Sequence, residues 1–206
     1  MAHSKSSKQW LKEHFDDVYV QKSRAEGYRS RAIYKLKEID ERERLIKPNM
    51  TIVDLGAAPG GWSQYVTRKI NGSGTIVALD ILPMDSLPDV HFIEGDFRED
   101  AALEQLMDII PDNGVDLILS DMSPNMSGNT AIDIPCSMYL VELAFDFAAK
   151  SLKPGGNLLV KIFHGTGFED IVKQARSCFE KVVIRKPMAS RPRSRETYLL
   201  AKNYTP

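Results

Sequence analysis

The chain has 206 residues, 43% apolar and 27% charged with a mean hydropathy of -0.27, the composition of a soluble globular protein large enough for one well-buried core and short for two. No apolar run approaches the roughly 18 residues of a membrane span, and the polar N-terminus lacks a signal-peptide core, so the expectation is a cytoplasmic protein with no membrane partner. A net charge of -1 hides a segregation: residues 1–50 sum to +4, residues 51–180 to -11 and residues 181–206 to +6. Two basic ends on one face would offer a polyanion a positive surface on a protein that is near neutral overall.

From the N-terminus, helical patterning is expected over 7–14 and 30–39, the latter with Ser30 as N-cap and Ala32, Ile33, Leu36 and Ile39 as its apolar stripe. Residues 4–7 and 17–27 are rich in charge and poor in large aliphatics, and read as mobile segments that order on a partner. From about residue 51 strands and helices alternate. Strands are expected near 51–55, 75–80, 90–94, 115–120, 156–162, 180–186 and 196–202, and helices near 62–70, 99–110, 134–151 and 168–177. Lys153-Pro-Gly-Gly156 reads as a stop between helix and strand, and 81–90 as a loop without content. The arginine-rich, proline-broken stretch 185–195 has little apolar content to bury. The pattern predicts an α/β fold, a Rossmann-like, seven-stranded, mostly parallel sheet with helices on both faces. It forms one domain over 1–206, with 1–50 a basic helical extension and 51–206 the core. Cys136 and Cys178 are too few for a disulfide framework or a zinc site and are expected as buried, inert thiols. His3, His14, His91 and His164 have no metal-like spacing, so no metal is expected.

The stretch Ile-Val-Asp-Leu-Gly-Ala-Ala-Pro-Gly-Gly-Trp at 52–62 runs an apolar strand through a glycine turn into a helix. Gly56, Gly60 and Gly61 can take positive φ and let a ligand meet the main chain. Asp80 ends the next strand twenty positions after Gly60, where α/β nucleotide sites place a carboxylate for ribose hydroxyls. The turn is not the Gly-x-Gly-x-x-Gly of a pyrophosphate binder. With Asp54, Asp80 and Asp96 nearby it suits a cationic nucleoside, and S-adenosylmethionine is one. Strand-end polar residues are the further candidates: Asp121 after the fourth strand, and Lys161 inside the apolar run 157–163, where an ammonium must snorkel outward or sit beside an acid such as Asp121. Taken alone, Lys35 in its helix and Glu196 at the start of its strand read as solvated surface residues.

As a set, Lys35, Asp121, Lys161 and Glu196 with Asp54-Leu-Gly-Ala-Ala-Pro-Gly-Gly-Trp62 and Ser120-Asp-Met-Ser-Pro-Asn125 resemble the FtsJ family of RNA ribose 2′-O-methyltransferases, over nearly the whole chain. The resemblance implies a catalytic set of Lys161, Asp121, Lys35 and Glu196. It implies a donor shell of Gly60, Gly61, Trp62, Asp80 toward the donor's ribose, Asp96 toward its adenine, and Asp121, with Asp54 and Gly56 supporting it. The substrate implied is the 2′-hydroxyl of a uridine in 23S rRNA, in the assembled large ribosomal subunit, for a monomeric enzyme. A tRNA or mRNA-cap 2′-O-methyltransferase, and a non-catalytic nucleoside- or RNA-binding module, stay open as alternatives. So does the role of Lys161, as proton acceptor or as a cation orienting the hydroxyl. By charge count alone, Arg29, Arg31, Lys35 and Lys37 on one side and Arg191, Arg193 and Arg195 on the other are expected to contact phosphates.

Overall fold

In the computed structural model, which describes residues 17–191 and 194–206, seven strands form one sheet in the order β3-β2-β1-β4-β5-β7-β6. The helix expected over 7–14, residues 4–7, His3, His14 and Arg193 lie outside the described residues. Chain order is α1 (Val18–Ala25), α2 (Ile33–Glu43), β1 (Met50–Leu55), α3 (Gly61–Ile70), β2 (Gly74–Asp80), β3 (Val90–Glu94), α4 (Asp100–Ile109), β4 (Val115–Ser120), α5 (Thr130–Ser151), β5 (Leu152–Phe163), α6 (Phe168–Cys178), β6 (Phe179–Arg185) and β7 (Glu196–Tyr204). Every strand pair is parallel except those of β7, which runs antiparallel between β5 and β6. No helix among the described residues is long and apolar enough to cross a membrane.

The central strands read as continuous apolar runs because both faces are covered. Alternate residues go to opposite sides: Val53, Leu55, Ile118, Leu158 and Val160 pack with Phe145, Phe147 and Ile171 of α5 and α6. Ile52, Leu117, Leu119, Leu159 and Leu200 pack with Ile33, Leu36, Trp62 and Val66 of α2 and α3. Helix α2 starts at Ile33 rather than at 30, and its N-terminus has no side-chain cap, so Ser30 does not act as one. A cap contributes about 1 kcal/mol. Ile33 and Leu36, both fully buried, each contribute about 1.5–3 kcal/mol, and burial therefore holds the helix without it.

Four other expectations need correction. Residues 17–27 hold a helix, α1, whose N-cap Asp17 accepts from the Tyr19 amide at 2.9 Å. Aromatic rings do the anchoring that aliphatics would have done: Tyr19 and Tyr28 both pack on Tyr34, and the Arg68 guanidinium lies 4.3 Å from the Tyr28 ring centroid. Helix α5 begins at Thr130, four residues early, because the Asn129 side chain caps it, and it continues through Pro135 in its second turn, which lacks the N–H for a bond four residues back. Strand β5 begins at Leu152; pairing jumps from Val115–Leu152 to Leu117–Asn157, so Lys153–Gly156 is an irregularity within the strand rather than a stop. Cys136 is exposed, and Cys178, the last residue of α6, is only half-buried although it packs against the edge of the core.

Strand order reverses between β1 and β4, which opens a crevice at the carboxyl ends of these strands. Antiparallel β7 starts where β5 ends, with Phe163 opposite Glu196 and Lys161 opposite Tyr198. The first residues of β7 thereby reach the same end of the sheet as the last residues of the parallel strands.

Candidate active site

Residue parity places the charged candidates on one face. Leu117, Leu119 and Asp121, then Leu159 and Lys161, then Tyr198 and Leu200 share the side covered by α2 and α3. Lys161 is only 6% exposed. Its Nζ donates to the Asp121 main-chain carbonyl at 2.5 Å and lies 3.2 Å from Asp121 Oδ1. The same Oδ1 accepts from the Tyr198 hydroxyl at 2.7 Å. Lys35, one turn into α2, pairs with Glu196 at 2.8 Å, and its Nζ sits 5.9 Å from the centroid of the Tyr198 ring. Lys35, Asp121, Lys161 and Glu196 thus form two ion pairs about one tyrosine. Burial pushes the Asp121 carboxyl up, but the ammonium groups of Lys161 and Lys35 and the Tyr198 hydroxyl outweigh it and hold it below its ordinary value. Burial, then the Asp121 and Glu196 charges, push the Tyr198 phenol well above its ordinary value, so it stays a hydrogen-bond donor.

Tyr198 was hidden in the sequence, where an aromatic in an apolar strand reads as core. Its ring packs on Trp62, 5.7 Å between centroids, and the Trp62 indole donates to the Ala32 carbonyl at 2.8 Å. Trp62 therefore joins α3 to α2 beneath the lysines with its side chain buried, and only its main chain is left for a ligand. Tyr198→Phe removes one hydrogen bond to a charged group, about 1.5–3 kcal/mol. Urea unfolding should show that loss, while the Lys161–Asp121 pair persists.

The remaining acids gather at the crevice. Asp54 is 1% exposed; Oδ2 accepts from Ser63 Oγ at 2.6 Å, and Oδ1 has no partner. Burial, together with the Asp121 and Asp80 charges, raises the Asp54 carboxyl to about 7 against the opposing Ser63 bond. Because this pKa lies above the unfolded value of about 4, stability is fully present below pH ~4 and is lost as pH rises through about 7. Asp54→Asn keeps an acceptor for Ser63 but cannot ionise, so its melting temperature should gain on the unsubstituted protein between pH 5 and 8. An unchanging difference would contradict the assignment. Asp80 fastens two loops: Oδ2 accepts from the Ala58 amide at 2.8 Å and Oδ1 from the Leu82 amide at 2.9 Å. Asp96 is gripped by Arg98, whose Nε lies 2.9 and 3.0 Å from its two oxygens, and these bonds hold its carboxyl below the ordinary value.

Positive φ is found at Gly56 and Gly60 but not at Gly61, which is already helical, and at all three positions protein atoms occupy the space a Cβ would take. At φ 99° a Cβ on Gly60 would meet Met84 Sδ at 2.7 Å and Arg29 Nη1 at 2.8 Å. Gly56, at φ 77°, instead admits the Met122 backbone, which a Cβ would meet at 2.9 Å, and Gly61 makes room for Ser30 Oγ. The free oxygen of Asp54, the acids of the crevice and the uncapped N-terminus of α3 suit a ligand carrying both cationic and anionic groups.

Several expected phosphate contacts are engaged inside the protein. Arg29 donates to the main-chain carbonyls of Pro59, Asp85 and Ser86. Arg31 pairs with Asp17 and donates to the Ala189 carbonyl, and Lys35 holds Glu196. The 185–195 stretch is not wholly surface either: Ala189 and Ser190 are buried and Arg185 pairs with Glu43 at 2.5 Å. Lys37 and Arg191 are half-buried and Arg195 is exposed. Beside the ion pairs a cleft of about 400 Å³ opens between Lys35, Ser123, Met126, Phe163, Arg191 and Glu196. A larger groove of about 780 Å³, bordered by Glu43, Arg44, Asn49 and Asn203, lies at the other ends of the strands, away from Lys35, Asp121, Lys161 and Glu196.

Comparison with known proteins agrees with this geometry. The FtsJ-like methyltransferase family matches residues 28–204. Ribosomal RNA large subunit methyltransferase E of Legionella pneumophila (strain Corby) is 72% identical over 204 residues, 99% of each chain, and the protein of that name from Pseudomonas aeruginosa is 58% identical over 99% of each. Among solved structures, a putative ribosomal RNA methyltransferase of Plasmodium falciparum superposes with a TM-score of 0.78 at 32% identity, covering 86% of this chain and 98% of that one. The fibrillarin/Nop5p complex structure, with a TM-score of 0.59 at 16% identity, shares the fold. A sheet with one inserted antiparallel strand, the charged groups it brings to the switch point, and these full-length matches have one conclusion: the chain belongs to the FtsJ-like methyltransferase family.

Proposed function

We propose that this methyltransferase transfers the methyl group of S-adenosylmethionine to the 2′-hydroxyl of a uridine ribose in 23S rRNA, acting as a cytoplasmic monomer on the assembled large ribosomal subunit. The observation that carries the reading is the commitment of Lys161. Among the described residues its nitrogen makes two polar contacts, both with Asp121, through the main-chain carbonyl and Oδ1. Once the Lys161 ammonium gives up one proton, its two remaining N–H groups would stay on Asp121 and leave the lone pair for the proton of the substrate hydroxyl. Asp121, held by Tyr198, keeps that amine from turning away. Lys35 and Glu196 neutralise one another at the mouth of the cleft, where they give the ribose one donor and one acceptor. S-adenosylmethionine supplies an electrophilic methyl, and in-line displacement then depends chiefly on holding the two partners close and collinear. Gly60, Gly61 and Trp62 would offer main chain to it, Asp80 would accept from its ribose, and Asp96, oriented by Arg98, would face its adenine. Gly56 and Asp54 would support that shell, with Asp54 stabilised as a carboxylate by the donor's positive charge.

The relatives' names, which specify large-subunit ribosomal RNA, favour rRNA over tRNA or a cap. Labelled methyl transfer to purified large subunits, naked 23S rRNA and tRNA, followed by ribose mapping, tests this. One 2′-O-methyluridine in large-subunit rRNA is expected; label on a base, on tRNA alone or on nothing would contradict it.

A further inference from the structure

The loop over residues 81–89 follows directly from Asp80 and lies against the glycine turn, with Met84 Sδ and Leu87 Cδ1 both within 3.3 Å of the place a Gly60 Cβ would take. Asp80 pins its beginning through the Leu82 amide. Its middle is held from a different part of the chain. Arg29 donates from Nη1 to the Asp85 carbonyl at 2.7 Å, from Nη2 to the Ser86 carbonyl at 2.9 Å and from Nη1 to the Pro59 carbonyl at 3.3 Å. One guanidinium thus bridges the loop and the glycine turn. Arg29 is in turn fixed to α3: its amide donates to Gln64 Oε1 at 3.0 Å, Gln64 Nε2 donates to the Gly27 carbonyl at 2.9 Å, and Arg68 stacks on Tyr28. A planar fork that satisfies three carbonyls is ill suited to gripping a phosphate as well.

We propose that Arg29 is a positioning residue for the methyl donor: it fastens the 81–89 loop to the glycine turn, and so sets the shape of the donor pocket from the N-terminal segment. This rests on the proposed use of S-adenosylmethionine. Arg29 touches neither the reacting oxygen nor Lys161; it acts through the backbone that Gly60 and Asp80 present. Nη1 alone joins the two segments, so lysine could keep that bridge in part, but it has no second nitrogen for the Ser86 carbonyl and lacks the rigid fork. Gln64 carries no charge, yet its loss frees the Arg29 backbone, so Gln64→Ala should shift donor binding in the same direction.

The test is calorimetric titration of the full chain with S-adenosylmethionine and no RNA, for the unsubstituted protein, Arg29→Ala, Arg29→Lys and Gln64→Ala, with melting curves to confirm folding. Donor affinity should fall about tenfold or more in Arg29→Ala and less in Arg29→Lys and Gln64→Ala, since each 1.4 kcal/mol is a factor of ten. Amide exchange over 81–89 should quicken in parallel. The proposal is overturned if folded Arg29→Ala binds donor like the unsubstituted protein and loses only RNA affinity and salt dependence, because Arg29 would then be a phosphate contact. Failure of the unsubstituted protein to bind donor at all would instead overturn the donor assignment itself.

Discussion

Lys161→Ala should lose methyl transfer by about 10² to 10⁴ in the single-turnover rate, the usual contribution of a positioned proton acceptor, while donor affinity changes by less than about threefold. The split matters because Lys161 contacts Asp121 and no atom of the glycine turn among the described residues. Lys161→Arg should be nearly as inactive, since a guanidinium keeps the charge but cannot take a proton at neutral pH. If arginine rescued the rate, Lys161 would act as an orienting cation only. A folded Lys161→Ala protein that methylates normally would remove the residue from the chemistry altogether.

Asp121→Ala should lose both activity and stability. It leaves an ammonium of 7% side-chain exposure without its carboxylate, and breaking a buried pair in this way costs about 3–5 kcal/mol. Denaturant unfolding reads that loss directly. Acid should produce a milder version in the unsubstituted protein. The Asp121 carboxyl lies below its ordinary value when folded, so its contribution is present above the unfolded pKa of about 4 and disappears as pH falls through the folded value. Asp54 has the opposite sign, losing its contribution as pH rises through about 7. Together the two buried acids place their combined stability maximum at about pH 4, and Asp54→Asn should remove the decline between there and about pH 7.

The sheet and the charged strand ends were legible in the sequence for a definite reason. Parallel strands covered on both faces are short apolar runs, and a charge at the end of such a run, as at Asp54, Asp80, Asp121 and Lys161, stands out from it. Where the physics is carried by less conspicuous groups, the reading fell short. Tyr198 looks like core because its ring is core; only its hydroxyl, aimed at Asp121, joins the site. Residues 17–27 lack aliphatics, yet tyrosines supply the missing apolar area. Charge counting assigned Arg29 and Arg31 to phosphates, but whether a guanidinium meets solvent or a carbonyl depends on loops brought together from distant parts of the chain, Asp85, Ser86 and Ala189 among them. Loop 81–90 carried no pattern at all, because it is held through its own main-chain groups, which any sequence presents.

The most direct test of the Lys161 assignment is the single-turnover rate of methyl transfer to the large ribosomal subunit as a function of pH, for the unsubstituted protein and for Lys161→Arg. The account predicts a rate that climbs with pH to a plateau in the unsubstituted protein, as the amine becomes free to accept a proton, and a slow rate without that climb in the arginine variant. Equal rates and identical profiles for the two proteins would contradict it.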